Sequence, residues 1–476
     1  MAAQNEQKVP LATLTAMVVG GMVGAGVFSI PRNFAQATGV FGALIAWGIA
    51  GTGMLMLGFV FQTLATRKPD LDAGVYAYAR AGFGPYLGFI SAFGYWASAC
   101  VGNVSYWVLI KSTLGRIFPA LGEGNTVMSV AISSVGIWAF HMLVMRGVKE
   151  AAGINKVVTI AKLIPLLLFI VLSLFFLKTD VFVANLWGGD AAVYGSLFQQ
   201  VNATMLVTVF VFLGIEGASN YSRFAEKRSD IGVATVTGFL GVLALFASVS
   251  ILSYGILPSE EIARLQQPSV GGVLEAAVGP WGAVFIGAGV IVSVLGAYLA
   301  WTLMAAEVLS IAAKKLDMPA FLGRENAAQV PAAALLMTSA LIQIVLVATL
   351  FSDDAFTFAL SLCSHMSLIP YFLSAAYMLK LVLTRETYDA DPAGHGKDRV
   401  VALLAIAYTV FLLVAAGMKF MLLGLIIYAP GTVLFVMTRR EQNKQLFSPA
   451  EWALFAAAVI GAIIGIHGLA TGYITI

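Results

Sequence analysis

The chain predicts an all-α integral membrane protein of two inverted halves, each opening on a helix broken at glycine. Three observations carry this. First, of 476 residues 60% are hydrophobic and 11% charged, with a mean hydropathy of +0.90, which is the composition of a bilayer-spanning chain. Second, glycine interrupts two apolar segments at equivalent places, Gly20-Gly21-Met22-Val23-Gly24-Ala25-Gly26 in the first and Gly214-Ile215-Glu216-Gly217 in the sixth. Hydrocarbon offers no hydrogen-bond partners, so unwound backbone survives there only where it lines a cavity or lies buried in protein. Third, the broken spans are five apart, an odd offset that inverts the second five-helix unit relative to the first.

Apolar runs of spanning length cover residues 11–38, 41–66, 83–114, 126–144, 155–177, 197–224, 232–257, 280–313, 330–351, 356–384, 400–416 and 420–437, with a thirteenth at 449–471. The organisation read from them is a cytoplasmic tail at 1–9 and a ten-helix core over 10–385, with repeats at about 10–178 and 195–385. A cytoplasmic linker at 386–399, rich in Asp, Gly, Pro and Lys, leads to helices 11 and 12 in 400–438. The loop 258–272, with Glu260, Glu261, Arg264 and Pro268, is the longest polar outer connection and reads as an extracellular cap. The tail runs straight into the glycine-broken segment without a small-residue cleavage site, so no cleavable signal is expected. With the N-terminus in the cytoplasm, Arg67, Lys68, Lys149, Lys156, Arg223, Lys227, Lys314, Arg439 and their basic neighbours fall in inner loops. Only Arg32, Lys111, Arg116, Lys178, Arg264 and Lys419 stay outside, as the positive-inside rule requires.

Several functions are excluded at this stage. The net charge of +3 reflects topology and does not imply nucleic-acid binding. Cys100 and Cys363 both lie in apolar spans without metal-ligand spacing, so neither a disulfide scaffold nor a metal site is expected, and no cofactor. No span carries paired carboxylates, a histidine cluster or a nucleophile–base set, which argues against an enzyme. A channel or a sensor fits less well, since the chain has no ring of charges and no appended signalling domain. Paired discontinuous helices are instead the mark of a secondary transporter with its site near the membrane midplane.

The stretches Gly24-Ala25-Gly26-Val27-Phe28-Ser29-Ile30-Pro31, Gly94-Tyr95-Trp96 and Gly102-Asn103-Val104-Ser105-Tyr106 continue this theme, as do Phe212-Leu213-Gly214-Ile215-Glu216-Gly217-Ala218, Leu295-Gly296-Ala297-Tyr298-Leu299-Ala300-Trp301-Thr302 and Ile369-Pro370-Tyr371. Over about residues 11–437 the sequence resembles the amino acid–polyamine–organocation superfamily, within it the basic amino-acid antiporters, and most the bacterial arginine/ornithine exchangers. The resemblance implies a leucine-transporter-type five-plus-five inverted repeat and a multi-pass place in the bacterial inner membrane. The thirteenth helix is not accounted for by the common twelve-span pattern.

An amino acid carries a carboxylate and an α-ammonium at fixed separation, and two broken helices offer matching partial charges. The N–H groups of Ala25, Gly26 and Val27, with Val23 and Gly24 flanking, open the outer half of the first span, where the helix dipole favours an anion. Carbonyls of Phe210, Val211 and Leu213 are expected to lack helical partners and to accept from the ammonium, as in the family that this stretch resembles. Tight helix packing is the competing explanation of Gly24 and Gly26. The resemblance also places Tyr95, Trp96, Ser98, Asn103 and Tyr106 along the cavity on span three. Cys363, Ser364, Ser367 and Tyr371 would form the opposite wall on span ten. Phe210 stands where arginine/agmatine relatives commonly carry tryptophan, and Trp301 matches a second aromatic closing over the substrate. With Tyr95 and Tyr371 these are the expected gate, and their ring faces attract a cation.

Glu216 is ionisable within an apolar span and is read either as a partner for the substrate's cationic side chain or as a cap pinning the unwound turn. Asn103 is open between substrate contact and an interhelical hydrogen bond. Glu307 is read as packing near the cytoplasmic end, and His141, His365 and His467 as structural. Lys162, seven residues into span five, is by resemblance a surrogate for a sodium site, its ammonium joining spans one and eight; snorkelling is the alternative. Sodium dependence is then not expected, while proton coupling and a homodimer stay open.

The expected function is exchange of extracellular L-arginine for intracellular L-ornithine, with lysine and histidine as further candidate substrates. The alternatives are exchange of a basic amino acid for its decarboxylated amine (lysine/cadaverine, arginine/agmatine, histidine/histamine) and proton-coupled uptake.

Overall fold

A computed structural model of the chain describes residues 10–71, 74–147, 151–188, 194–217 and 228–476. The N-terminal tail, Lys149, Ala218 and the end of the sixth span with Arg223 and Lys227 lie outside the described residues, as does the side chain of Lys156.

Hydropathy and helix length coincide. Among the described residues nine helices are long and apolar enough to cross a membrane, including Val40–Arg67, Pro85–Gly115, Pro280–Lys314 and Ala355–Thr384. One of the nine, His395–Glu441, bends at Gly417, whose φ of 71° and ψ of 174° break the helical path, so it supplies both the eleventh and twelfth spans. The first span is a bent pair, Leu11–Met22 and Gly26–Ala35, meeting at 51°. The helices Ala151–Phe175 and Leu197–Phe212 stand at the fifth and sixth spans. Polar caps mark several starts: Ser196 and Ser448 each make a reciprocal capping box, and Thr126 and Asp354 accept from the backbone three residues on.

Burial separates the core from the rim. In its most apolar stretch the third span is 83% buried inside the protein and the tenth 67%, whereas the thirteenth, Pro449–Ala470, is only 28% buried. The third and tenth helices therefore form the centre around which the broken helices are arranged. The thirteenth lies against the twelfth and presents Ile460, Ile463, Ile464 and Ile466 outward, as a lipid-facing helix does.

Three connections differ from the sequence reading. The outer segment 258–272 is no plain polar loop: it carries the helix Ser259–Ala263 and the start of Ser269–Val278, because Val270, Val273 and Leu274 share an apolar face that buries completely. A short helix, Val75–Phe83, precedes the third span between Gly74 and Gly84, both with positive φ. The segment 386–399 is no free linker. Its last residues open the helix at His395, Tyr388 buries its ring and donates to Asp398 at 2.7 Å, and the Arg67 guanidinium lies 3.7 Å above that ring. Apolar content alone hides such a loop, whose order comes from one arginine reaching the carbonyls of Thr387, Asp391 and Ala393.

Ion pairs sort to the two ends of the bundle. Arg32 reaches Glu123 at 2.9 Å and Asp354 at 3.2 Å, and Arg116 pairs with Glu275, at one end. Arg67–Asp398, Lys68–Glu386, Arg80–Asp317 and Lys314–Glu325 gather at the other end. Asp317 follows the eighth span and is largely buried; burial raises its carboxyl to about 6, outweighing the Arg80 guanidinium 2.6 Å away.

Candidate substrate site between the two broken helices

Each break leaves a different kind of backbone group unpaired. The first helix ends where Val23 turns extended, at φ −74° and ψ 97°. Past that point Phe28 is the first residue whose N–H finds a backbone acceptor, Ala25 O at 3.2 Å. Among the described residues, the N–H groups of Gly24, Ala25, Gly26 and Val27 have none, so four donors sit at the mouth of a short helical segment. The sixth helix ends at Leu213, with φ −56° and ψ 136°. There the Phe210 carbonyl is not free as expected, because the tight turn brings Leu213 N–H to it at 3.3 Å. The carbonyls of Val211 and Leu213 accept no hydrogen bond among the described residues.

Gly24, Ala25 and Gly26 at the first break and Val211 and Leu213 at the second line one cavity. Of the residues expected there, Gly24, Ala25, Gly26, Tyr95, Ser98, Tyr106, Phe210, Val211, Leu213, Trp301, Cys363 and Ser367 line it. None of its lining residues carries a formal charge, so a charged ligand would be held by fixed partial charges and ring faces. Gly21, Met22, Ala99 and Gly102 also line the cavity and were not assigned to it from sequence. Ala99 and Gly102 could have been found, since with Ser98 and Tyr106 they recur at helical spacing along one face of span three.

Seven expected site residues stand outside the walls. Trp96 turns to span nine, donating from Nε1 to Thr338 Oγ1 at 3.0 Å. Val23 and Val27 bury their side chains in the core, although the Val27 N–H stays at the break. Asn103 turns to span eight, donating from Nδ2 to Thr302 Oγ1 at 3.0 Å. Ser364 donates to the Leu206 carbonyl at 2.7 Å and so ties span ten to span six. Glu216 and Tyr371 meet each other behind the wall residue Tyr95: the Tyr371 hydroxyl donates to Glu216 Oε2, and Tyr95 donates to Oε1 at 2.6 Å. Glu216 Oε2 also accepts from Gly214 N–H at 3.1 Å. A carboxylate only accepts, and three donors from spans three, six and ten converge on this one. That geometry is the turn-pinning arrangement.

Lys162 is buried and does not snorkel; its Nζ donates to the carbonyl of Gly20 at 2.6 Å, just ahead of the first break. Among the described residues it makes no hydrogen bond to span eight, so only one end of the expected bridge is present. Glu307 is exposed and away from the cavity. His365 is buried beside Gly424 of span twelve, and His141 pairs with Ser339 at 2.9 Å across spans four and nine. Both cysteines are free, and no cluster of metal-ligating side chains occurs among the described residues.

Two broken helices with opposite partial charges at a cavity whose described lining carries no formal charge define a secondary transporter for a small zwitterionic solute. The chain belongs to the amino acid permease family, whose profile matches residues 11–438; with that family goes the leucine-transporter-type fold. It is 52% identical, over the whole of both chains, to an arginine/ornithine antiporter of Pseudomonas aeruginosa. It is 39% identical to an L-lysine transport protein of Corynebacterium glutamicum, over 100% of this chain and 98% of that one. An arginine/agmatine antiporter of Chlamydia abortus is 37% identical over 91% and 90% of the two chains.

Proposed function

We propose that this protein exchanges extracellular L-arginine for intracellular L-ornithine by alternating access, in a bacterial inner membrane with its N-terminus in the cytoplasm. The observation that carries the reading is the meeting at one cavity of Gly24–Gly26, whose N–H groups find no acceptor among the described residues, with Val211 and Leu213, whose carbonyls find no donor among them. The α-carboxylate binds the first set, where the helix opening favours an anion, and the α-ammonium donates to the second. The side-chain cation then lies against Phe210 and Trp301, held by the ring faces in a desolvated setting. Full-length similarity to an arginine/ornithine antiporter supports the substrate pair. Arginine and ornithine are both monocations, so one-for-one exchange moves no net charge and needs no ion.

Around that site, Glu216 pins the sixth-span turn to Tyr95 and Tyr371, and Lys162 steadies the inner half of span one through Gly20. A second reading, arginine for its decarboxylated amine, draws on the similarity to an arginine/agmatine antiporter and would export one positive charge per cycle. Proteoliposomes distinguish obligate exchange from uniport: labelled arginine enters vesicles loaded with ornithine and not empty ones. Equal rates into empty vesicles would overturn the proposal.

A further inference from the structure

At the arginine- and lysine-rich end of the bundle, a second cleft opens between the start of the third span, the end of the twelfth and the start of the thirteenth. It has two chemically distinct halves. Phe83, Leu87 and Leu454 form an apolar side, while Arg439, Gln445 and Ser448 form a polar one. The Arg439 guanidinium is aimed by a hydrogen bond from Nε to the Gln445 carbonyl at 2.7 Å and by the Phe435 ring 5.9 Å away. Among the described residues its two terminal nitrogens make no hydrogen bond and no carboxylate lies within ion-pair distance of it. Glu451 also lines the cleft, where its two oxygens accept from the N–H groups of Tyr86 at 3.1 Å and Ser448 at 2.7 Å, and among the described residues it makes no ion pair with Arg439. Trp452 is half exposed beside it, as aromatic residues are at the level of lipid headgroups.

A pre-aimed guanidinium without an ion pair among the described residues asks for an anion, and the adjoining apolar wall asks for hydrocarbon. We propose that this cleft binds one anionic phospholipid, its phosphate on Arg439 and the first part of its acyl chains along Phe83, Leu87 and Leu454. The lipid would then bridge the third helix, at the centre of the fold, to the thirteenth, which lies beyond the residues matched by the family profile.

The test is native mass spectrometry of the purified full-length protein, titrated separately with phosphatidylglycerol, phosphatidylcholine and inorganic phosphate. One phosphatidylglycerol should bind tightly, phosphatidylcholine more weakly, and excess phosphate should not displace the lipid. Arg439→Gln should weaken phosphatidylglycerol binding about fivefold, the effect of one basic group near a lipid phosphate, and Leu454→Trp, which fills the apolar half, should weaken it as well. Lys397→Gln, at the same end but not in the cleft, should bind as the parent does. Equal affinity for the two lipids would overturn the proposal, as would parent-like binding by Leu454→Trp, which decides the matter if Arg439→Gln does not fold. Full displacement by inorganic phosphate would assign the cleft to free anions instead.

Discussion

A Cβ placed on Gly214 would lie 2.6 Å from the carbonyl oxygen of Gly21, so the two broken helices touch backbone to backbone. Gly214 also has a φ of 103°, a conformation that side chains oppose, and glycine is thus required there for two independent reasons. The Glu216 carboxylate, bonded to Gly214 N–H, joins the same turn to spans three and ten.

The carboxylate cradle is best probed at Gly24. A Cβ on Gly26 would fall 2.7 Å from Phe210 Cδ1 and 2.8 Å from Val211 Cγ1, so any substitution there confounds binding with packing. On Gly24 the nearest atom is the Tyr106 hydroxyl at 3.6 Å, an ordinary contact. Gly24→Ala should therefore keep the parent's melting temperature and lose arginine affinity by about tenfold or more, since one misplaced methyl in a pocket costs about 1–3 kcal/mol. Parent-like affinity, measured by arginine-dependent thermal shift, would place the carboxylate elsewhere.

Glu216→Gln replaces an acceptor that serves three donors with a group whose amide must itself donate. The fold should lose stability by about 1.5–3 kcal/mol, the scale of a charged hydrogen bond. Exchange should slow much more than binding weakens, because the variant loosens the joint between spans and touches the cavity wall only through Tyr95. Loss of arginine binding with normal melting behaviour would assign Glu216 to the substrate cation instead.

The sequence made the backbone layer of the site legible and the side-chain layer only in part. Glycine at 24, 26 and 214 reports on backbone conformation, which is local, so both breaks stood where expected. Whether Asn103 or Ser364 faces the cavity depends on helix rotation within an apolar bundle, where hydropathy is high on every side and gives no phase. Asn103 accordingly turned to Thr302 and Ser364 to Leu206 O. Ala99 and Gly102 were missed although their helical spacing from Ser98 and Tyr106 marks them. The Arg67–Tyr388–Asp398 knot went unread for another reason: its members are far apart in sequence and each looks like an ordinary loop residue.

Lys162→Met removes the ammonium that binds Gly20 O while nearly preserving volume. Arginine affinity should change little and exchange should fall by an order of magnitude or more, about 1.4 kcal/mol in the barrier, because the lysine holds the inner half of span one and leaves the cavity intact. Unchanged exchange would reduce the bond to a packing detail. Exchange in the parent should not require sodium.

Asp317 predicts a pH dependence of stability. Its carboxyl is raised from 3.8 to about 6 by burial, so the folded state holds this proton more tightly than the unfolded chain does. The contribution is complete below the unfolded value and is lost as pH rises through about 6. Between about pH 5 and about pH 7.5 the parent should lose on the order of 1 kcal/mol that Asp317→Asn does not lose, the figure being reduced for the group's partial exposure. Parallel melting curves of the two proteins across that range would contradict the assignment.

The most direct test of the whole account is the charge moved per turnover. In proteoliposomes loaded with ornithine and supplied with arginine, currents recorded on a solid-supported membrane should be absent, and the uptake rate should not respond to an imposed potential of either sign. A substrate-driven current, or uptake that tracks the potential, would contradict arginine/ornithine exchange and support exchange of an amino acid for a more highly charged amine.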